Sequence, residues 1–153
     1  MIIWGFVQNV GKMQFLQMIK FTIHGKPKAL KRHRPSARGG YYDPSSKDKK
    51  QIWLQIAKWK PKMPLVGDIM LKVIFTIPYP KKFYRRGKFK HLLKDNIPEY
   101  VSVRPDIDNY CKLLLDILQG KDRYFVDDSQ VVKLQAEKVY GSKGKTEVVI
   151  EEI

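Results

Sequence analysis

The stretch Asp106-Ile107-Asp108-Asn109-Tyr110-Cys111-Lys112-Leu113-Leu114-Leu115-Asp116-Ile117-Leu118-Gln119-Gly120 decides the fold of this chain. Cys111, Leu114, Leu115 and Leu118 recur at i, i+3, i+4 and i+7, the spacing of one helix face. The predicted helix runs from about Asn109 to Gln119, and Gly120 is its breaker. Strand-like runs flank it. Upstream, within 68–77, Ile69, Leu71, Val73, Phe75 and Ile77 share one side while Met70 and Ile74 are apolar on the other. A strand apolar on both faces is expected at the centre of a sheet. Downstream, 129–140 and 146–152 read as two strands separated by Gly141-Ser142-Lys143-Gly144, a hairpin signal.

Working outward, Ile19, Phe21 and Ile23 alternate with Lys20, Thr22 and His24, a half-buried strand closed by Gly25. Residues 26–44 are rich in Pro, Gly and basic residues and read as an extended arm outside the core. Ser45 or Ser46 can cap a helix reaching about Trp59, with Ile52, Ile56 and Trp59 on one face; Pro61 and Pro64 end it. Residues 81–104 have weak periodicity and read as a basic, aromatic loop with one short helix. The resulting order predicts an α/β fold: a single domain with a mixed β-sheet packed by two main helices. The domain spans 18–153. Residues 1–17 form an N-terminal extension of uncertain status, with Met13 and Met18 as alternative starts.

The 153 residues carry a formal net charge of +15, unevenly placed. Residues 1–105 hold 23 Lys/Arg against 5 Asp/Glu, 106–128 hold 3 against 6, and 129–153 hold 4 against 4. The body therefore favours a polyanion, and nucleic acid is the expected one because phosphate neutralisation supplies affinity on any fold. A 43% hydrophobic content is sufficient for a core and excludes a disordered basic tail. No basic amphipathic helix of membrane-binding length and no apolar stretch of about 20 residues is present, so no membrane role is expected. The apolar start, 1–7, is short and lacks a basic n-region, so no signal peptide is expected. The single cysteine, Cys111, falls in the apolar pattern and has neither a disulfide nor a zinc partner, which fits a reducing, cytoplasmic compartment. The expected nucleic-acid contacts are Lys28, Lys31, Arg32, Arg34, Arg38, Lys81, Lys82, Arg85, Arg86 and Arg104, interleaved with Tyr41, Tyr42, Phe83, Tyr84 and Phe89.

The acidic focus has its own chemistry. Asp106 and Asp108 are two residues apart, so an extended segment would point both to one face. Asp127 and Asp128 follow the helix at the start of the next strand, and the turn is expected to bring three or four carboxylates together. Such hard oxygen donors suit Mg²⁺ or Mn²⁺. Lys112, at i+4 from Asp108, is placed to orient an attacking water or to stabilise the charged phosphate. Plainer readings of the same residues stand beside this one. Asp108 or Asn109 can cap the helix. Asp108, Lys112 and Asp116 can form a surface ladder worth ~0.3–0.5 kcal/mol per pair. Asp127-Asp128 can be turn residues. The histidines, His24, His33 and His91, stand in basic loops, and no nucleophile triad competes.

The run Arg104-Pro105-Asp106-Ile107-Asp108-Asn109-Tyr110-Cys111-Lys112, continued by Leu113-Leu114-Leu115-Asp116-Ile117-Leu118, then Val126-Asp127-Asp128-Ser129-Gln130-Val131-Val132 and Lys138, resembles the RusA-type crossover junction endodeoxyribonucleases. Gly25-Lys26-Pro27 to Arg34 is similar to the opening of that family, and the resemblance covers about 18–153. It implies a Mg²⁺-dependent homodimer that resolves Holliday junctions by nicking two opposed strands of branched DNA, in recombination and repair. The catalytic carboxylates would be Asp106, Asp108 and one of Asp127 and Asp128, with Asp128 the choice; the essential lysine would be Lys112. The metal ligands would come from Asp106, Asp108, Asp127 and Asp128. A twofold dimer also suits two symmetric cuts, and apolar surface on the helix and the final strands could form its interface. The long 81–103 segment is idiosyncratic, so no cleavage sequence is implied. The alternatives are a nuclease for other branched DNA and a non-catalytic, basic nucleic-acid-binding protein.

Overall fold

Period-two alternation builds the sheet, and the computed structural model describes it for residues 2–9, 12–37 and 39–153, with side chains from residue 17 onward. The strands are β1 (Ile2–Asn9), β2 (Lys12–His24), β3 (Arg34–Pro35), β4 (Tyr41–Tyr42), β5 (Ile69–Pro78), β6 (Val131–Gly141) and β7 (Lys145–Glu152). The two main helices are α1 (Ser46–Ile56) and α2 (Ile107–Leu118). β1, β2, β7, β5 and β6 form one sheet in that order, while β3 and β4 make a separate small pair. Only the β5–β6 pairing in the large sheet is parallel. A parallel pair needs a long crossover, and residues 79–130, including α2, supply it.

On one face of the sheet, Ile19, Phe21 and Ile23 of β2, Val148 and Ile150 of β7, and Ile69, Leu71, Val73 and Phe75 of β5 are buried. Both helices pack on this face. α2 contributes Tyr110, Leu113, Leu114, Ile117 and Leu118, and α1 contributes Ile56 with Ile52 and Trp53 beside it. Burying each large aliphatic side chain there is worth about 1.5–3 kcal/mol. Tyr124 sits within the same core, and its hydroxyl donates to the Ile56 carbonyl at 2.8 Å. The result is the expected α/β domain with a mixed sheet and two helices. β5 is central, as expected, although its second face is more open than the first: Met70 is half-buried and Ile74 is exposed. β1 pairs with the first half of β2, extending the sheet beyond the buried strands.

The hairpin expected at 141–144 does not form. β6 and β7 run antiparallel, yet β5 lies between them and bonds to both. Placing the most apolar strand between two neighbours satisfies both of its backbone edges and buries its side chains. The 142–144 connection therefore crosses the end of β5. It does so in close contact with the chain after β2: Gly25 N–H donates to the Gly144 carbonyl at 3.0 Å. A Cβ on Gly144 would stand 2.7 Å from Lys26 backbone atoms, so that approach requires glycine.

The arm is also more embedded than its composition suggests. Pro27 is buried, Ala29 and Leu30 pack against the core, and Leu30 N–H donates to the Asn109 carbonyl at 2.8 Å. Ser45 stands at the N-cap position of α1, but its hydroxyl accepts from Lys31 N–H at 2.9 Å instead of capping the helix. The arm is thus tied across the first turn of α2 and the start of α1. α1 ends at Ile56 and tightens into a 3₁₀ turn, Ala57–Trp59. Two such turns, Lys81–Phe83 and Gly87–Phe89, replace the one short helix expected in 81–104.

Candidate active site

α2 begins at Ile107, two residues earlier than its apolar stripe implies, so Asp106 occupies the N-cap position and Asp108 the first turn. The two carboxylates are therefore held by a helix start and not by an extended segment. Asp106 makes no capping hydrogen bond, and it has no ion pair among the described residues. Asp108 accepts from Lys112 Nζ at 3.0 Å and from Asn109 Nδ2 at 3.2 Å. The Lys112 hydrogen bond is the largest influence holding the Asp108 carboxyl below the usual carboxylate range. Both side chains are more than half exposed, so this i, i+4 pair adds little stability and leaves the charges accessible. The rest of the anticipated ladder is absent. Asp116 pairs with Lys49 of α1 at 2.8 Å, and Lys49 also meets Asp43 at 2.9 Å.

The segment before Asp106 is anchored from β6. Lys138 Nζ donates to the carbonyl oxygens of Val103 and Pro105, each at 2.7 Å, on either side of the cis Arg104–Pro105 bond. Val101 N–H donates to the Lys138 carbonyl at 2.9 Å, and Tyr140 N–H to the Glu99 carbonyl at 2.9 Å.

Asp127 and Asp128 lie on a 3₁₀ turn, Asp128–Gln130, just before β6. Asp127 caps it: its carboxylate accepts from Ser129 N–H at 2.9 Å, and the Ser129 hydrogen bonds lower its pKa. Asp128 instead donates its backbone N–H to Gln119 Oε1 at 3.1 Å, and its carboxylate has no hydrogen bond or ion pair among the described residues. Gln130 fastens the turn. Its Oε1 accepts from Val126 and Asp127 N–H at 2.9 and 3.1 Å, while its Nε2 donates to the Leu65 and Gly67 carbonyls at 3.0 and 3.1 Å. The sequence pattern contains Gln119, Gln130 and Lys138, but nothing in it distinguishes their positioning roles from ordinary polar surface.

The four carboxylates do not converge within one chain. Asp106 and Asp108 stand at the start of α2, and Asp127 and Asp128 follow its other end. Twelve helical residues separate the two pairs by about 18 Å. Among the described residues, no group of three or more His, Cys, Asp or Glu is placed to hold a metal ion. The donors still fit a hard cation by their chemistry: Asp106 and Asp128 offer exposed carboxylates without internal partners, and Asp108 is held ionised.

The basic residues gather at the Asp106 end. Lys26, Lys81, Lys82 and Arg104 line a groove of about 450 Å³ that runs past Pro105 and Tyr110. Lys26 is a member of this groove that the charge pattern did not single out. Arg32, Arg34, Arg86 and Arg104 are exposed and have no carboxylate partner among the described residues. Three of the anticipated contacts are engaged internally. Lys28 and Lys31 approach Asp48 at 3.6 and 3.2 Å, and Arg85 grips Asp95 at 3.1 and 3.0 Å. Arg38 lies outside the described residues. Of the interleaved aromatics, Tyr41, Tyr42 and Phe89 are exposed. Phe83 and Tyr84 instead pack with Tyr140 and Tyr79, with ring centroids at 5.0 and 6.5 Å. No helix among the described residues is long and apolar enough to cross a membrane.

The chain is 32% identical to "Uncharacterized protein YqaN" of Bacillus subtilis (strain 168) over 143 residues, covering 90% of this chain and 99% of that one. It is 33% identical to "Crossover junction endodeoxyribonuclease rusA" of Lactococcus phage r1t over 113 residues, covering 74% of this chain and 78% of the phage protein. The profile of the family Endodeoxyribonuclease RusA matches residues 24–151, which takes in the embedded arm, the crossover helix with Asp106, Asp108 and Lys112, and the Asp127–Gln130 turn. The chain belongs to the RusA endodeoxyribonuclease family.

Proposed function

We propose that this chain is a structure-selective endodeoxyribonuclease that resolves Holliday junctions by paired hydrolysis of opposed strands, as a homodimer using Mg²⁺, in DNA recombination and repair. The observation that carries this reading is the exposed Asp106–Asp108–Lys112 constellation beside the Lys26–Lys81–Lys82–Arg104 groove in a chain of this family. The phage relative's name supports the four-way junction as substrate.

The roles follow from the chemistry of the side chains. Asp106 and Asp108 are the carboxylates that would hold an ion at the start of α2, Asp128 offers a further free carboxylate beyond the other end of that helix, and Asp127 is engaged as the cap of its turn. The bound ion would neutralise charge on the phosphate oxygens and acidify water. Lys112 holds Asp108 and keeps a positive charge beside the position where the phosphate would sit. The groove and the exposed arginines bind backbone phosphates, giving affinity independent of sequence. In the hydrolysis, water adds to phosphorus, one P–O ester bond breaks, and the departing oxygen takes a proton.

The test is incubation of an end-labelled four-way junction with the protein and Mg²⁺, with nicks mapped on all four strands. Symmetric nicks on one opposed pair, absent without the cation, are expected. Preferential cutting of three-way forks or flaps would assign the chain to other branched DNA. Binding without cutting under any divalent cation would leave only a basic DNA-binding role.

A further inference from the structure

The groove beside Pro105 contains more than phosphate binding requires. Its four cations, Lys26, Lys81, Lys82 and Arg104, are exposed. The rest of its lining is apolar and aromatic: Ile77, Pro78, Tyr79 and Tyr140 are half-buried, and Val101 and Tyr110 are buried. Phosphate contacts need the cations and make no use of such a wall.

The aromatic part of the wall is braced. Tyr79 and Tyr140 are stacked, with ring centroids 6.3 Å apart and planes 21° apart. Tyr84 supports Tyr79 edge-on, and Phe83 supports Tyr140 in the same way. Tyr79 N–H donates to the Gly141 carbonyl at 2.9 Å, which ties the start of this segment to the end of β6. Rings already fixed lose little freedom when a further ring stacks on them.

Tyr110 brings a polar group. It is 3% exposed, and its ring packs against Phe75 with centroids at 5.1 Å. Its hydroxyl nevertheless has no hydrogen-bond partner among the described residues, and it is not sealed from solvent. Tyr124, the other tyrosine of the core, donates to a carbonyl, the usual state of a buried hydroxyl. The Tyr110 hydroxyl is therefore open to a ligand.

We propose that this groove holds a single unpaired nucleobase of the DNA strand, stacked against Tyr79 and Tyr140 and hydrogen-bonded by the Tyr110 hydroxyl, while Lys81, Lys82 and Arg104 hold the neighbouring phosphates. The inference rests on the DNA-cleaving reading above. An aromatic platform, a hydroxyl and flanking cations match the face, the edge and the phosphates of a nucleotide. The volume of about 450 Å³ is that of a pocket enclosing one small ligand. A duplex keeps its bases stacked inside, so it would use the cations and leave the wall empty. A base leaves the stack at least cost where pairing is already interrupted, as at a branch point. The groove thus gives branched DNA an affinity that linear duplex does not receive. Pro105 lines the groove and Asp106 follows it, so the nucleotide held there neighbours the phosphate presented to the carboxylates.

The test uses the full chain without divalent cation, so that nothing is cut. Two labelled single-stranded hexamers carry the same phosphates: one has only abasic tetrahydrofuran sugars, and the other has thymine on one central sugar. Fluorescence anisotropy should show about 10-fold tighter binding of the thymine hexamer, the scale of one base on an aromatic platform. Tyr79→Ala should erase most of that preference with little change for the abasic hexamer. Tyr110→Phe, which keeps the ring against Phe75, should reduce the preference about 3-fold. Lys81→Ala should weaken both hexamers to the same degree.

A second readout needs no variant. Four-way junctions carrying 5-iodouracil at each branch-point position in turn are irradiated with the wild type, and the cross-linked peptides are mapped. At least one position should cross-link to Tyr79 or Tyr140. Equal affinity for the two hexamers, a preference untouched in Tyr79→Ala, or cross-links confined to residues outside the groove would overturn the proposal. A full preference in Tyr110→Phe would remove that hydroxyl from the site. If the protein cuts no branched DNA, the functional reading fails, yet the hexamers still decide whether the groove takes a base.

Discussion

Lys138 holds Pro105, the residue before Asp106, through a 2.7 Å hydrogen bond from its ammonium to the Pro105 carbonyl oxygen. This contact spans 33 residues of sequence and sets where the helix start presents its carboxylates. Lys138→Met should reduce single-turnover cleavage by about 10–100-fold, the cost of a small misplacement at a reacting centre. Junction affinity and melting temperature should change little, and Lys138→Arg should restore part of the rate. A purely structural role would lower the melting temperature in step with activity.

Gln130 does the corresponding work at the other carboxylate pair. Gln130→Ala would leave the Leu65 and Gly67 carbonyls and the Val126 and Asp127 N–H groups without this partner. An expected loss of about 1–3 kcal/mol follows, chiefly from the two partly buried carbonyl bonds, because an unsatisfied polar group costs more the less water reaches it. Urea denaturation measures it. Gln130→Glu, which can accept but not donate, should recover little of that stability, and full recovery would show that the two donated bonds are unimportant.

Asp106→Asn and Asp108→Asn should each abolish cleavage while junction binding holds or tightens, since each removes an oxygen anion close to DNA. Lys112→Ala should lose most activity with the fold intact. It should also raise the Asp108 pKa toward the ordinary carboxylate value, because the Lys112 hydrogen bond is the main reason it is low. Carboxyl-carbon NMR titration detects that shift. An unmoved Asp108 titration in the Lys112 variant would show that the two are not paired in solution.

Binding should weaken steeply with salt. With about 6–10 phosphate contacts, affinity is expected to fall roughly 10³–10⁵-fold between 50 and 200 mM. Removing Lys81 and Lys82 together should flatten the slope of log affinity against log salt by about two units, since about one counterion is released per contact. Removing Arg85, which is engaged with Asp95, should affect the slope much less. Equal effects from both changes would place DNA away from the groove.

The Asp43–Lys49–Asp116 cluster links α1 to α2 and should show a pH signature. The Lys49 hydrogen bond lowers the Asp43 pKa. Its stabilisation is therefore present above the unfolded Asp value of about 4 and is lost as pH falls through the folded value. For Lys49, burial lowers the pKa, but Asp116 and Asp43 outweigh it and raise it overall. Its contribution holds below about 10.4 and is lost as pH rises through the folded value. Lys49→Met should cost about 1 kcal/mol at neutral pH, with the difference from wild type shrinking in acid. A difference independent of pH would mean that packing, and not charge, carries the link.

Much of this protein is readable along the chain because its signals are local. The alternation in 69–77, the stripe through 111–118 and the Gly120 stop name a strand and a helix before any folding, since side-chain period is set by backbone geometry. Gly120 indeed adopts φ 135°, a conformation glycine takes freely. The concentration of acid in 106–128 and of base elsewhere is equally a property of sequence. Strand order, by contrast, depended on which neighbours could satisfy both edges of β5, and local turn residues at 141–144 carry no information about a third strand entering between β6 and β7. The arm looked separate from the core because Pro, Gly and Lys are counted by type, whereas Leu30 is held by a carbonyl 79 residues away. The carboxylates looked convergent because a turn after a helix returns to the sheet, but it returns to the opposite end from where the helix began. That distance is the length of α2, a property of three-dimensional placement that spacing in the sequence does not express.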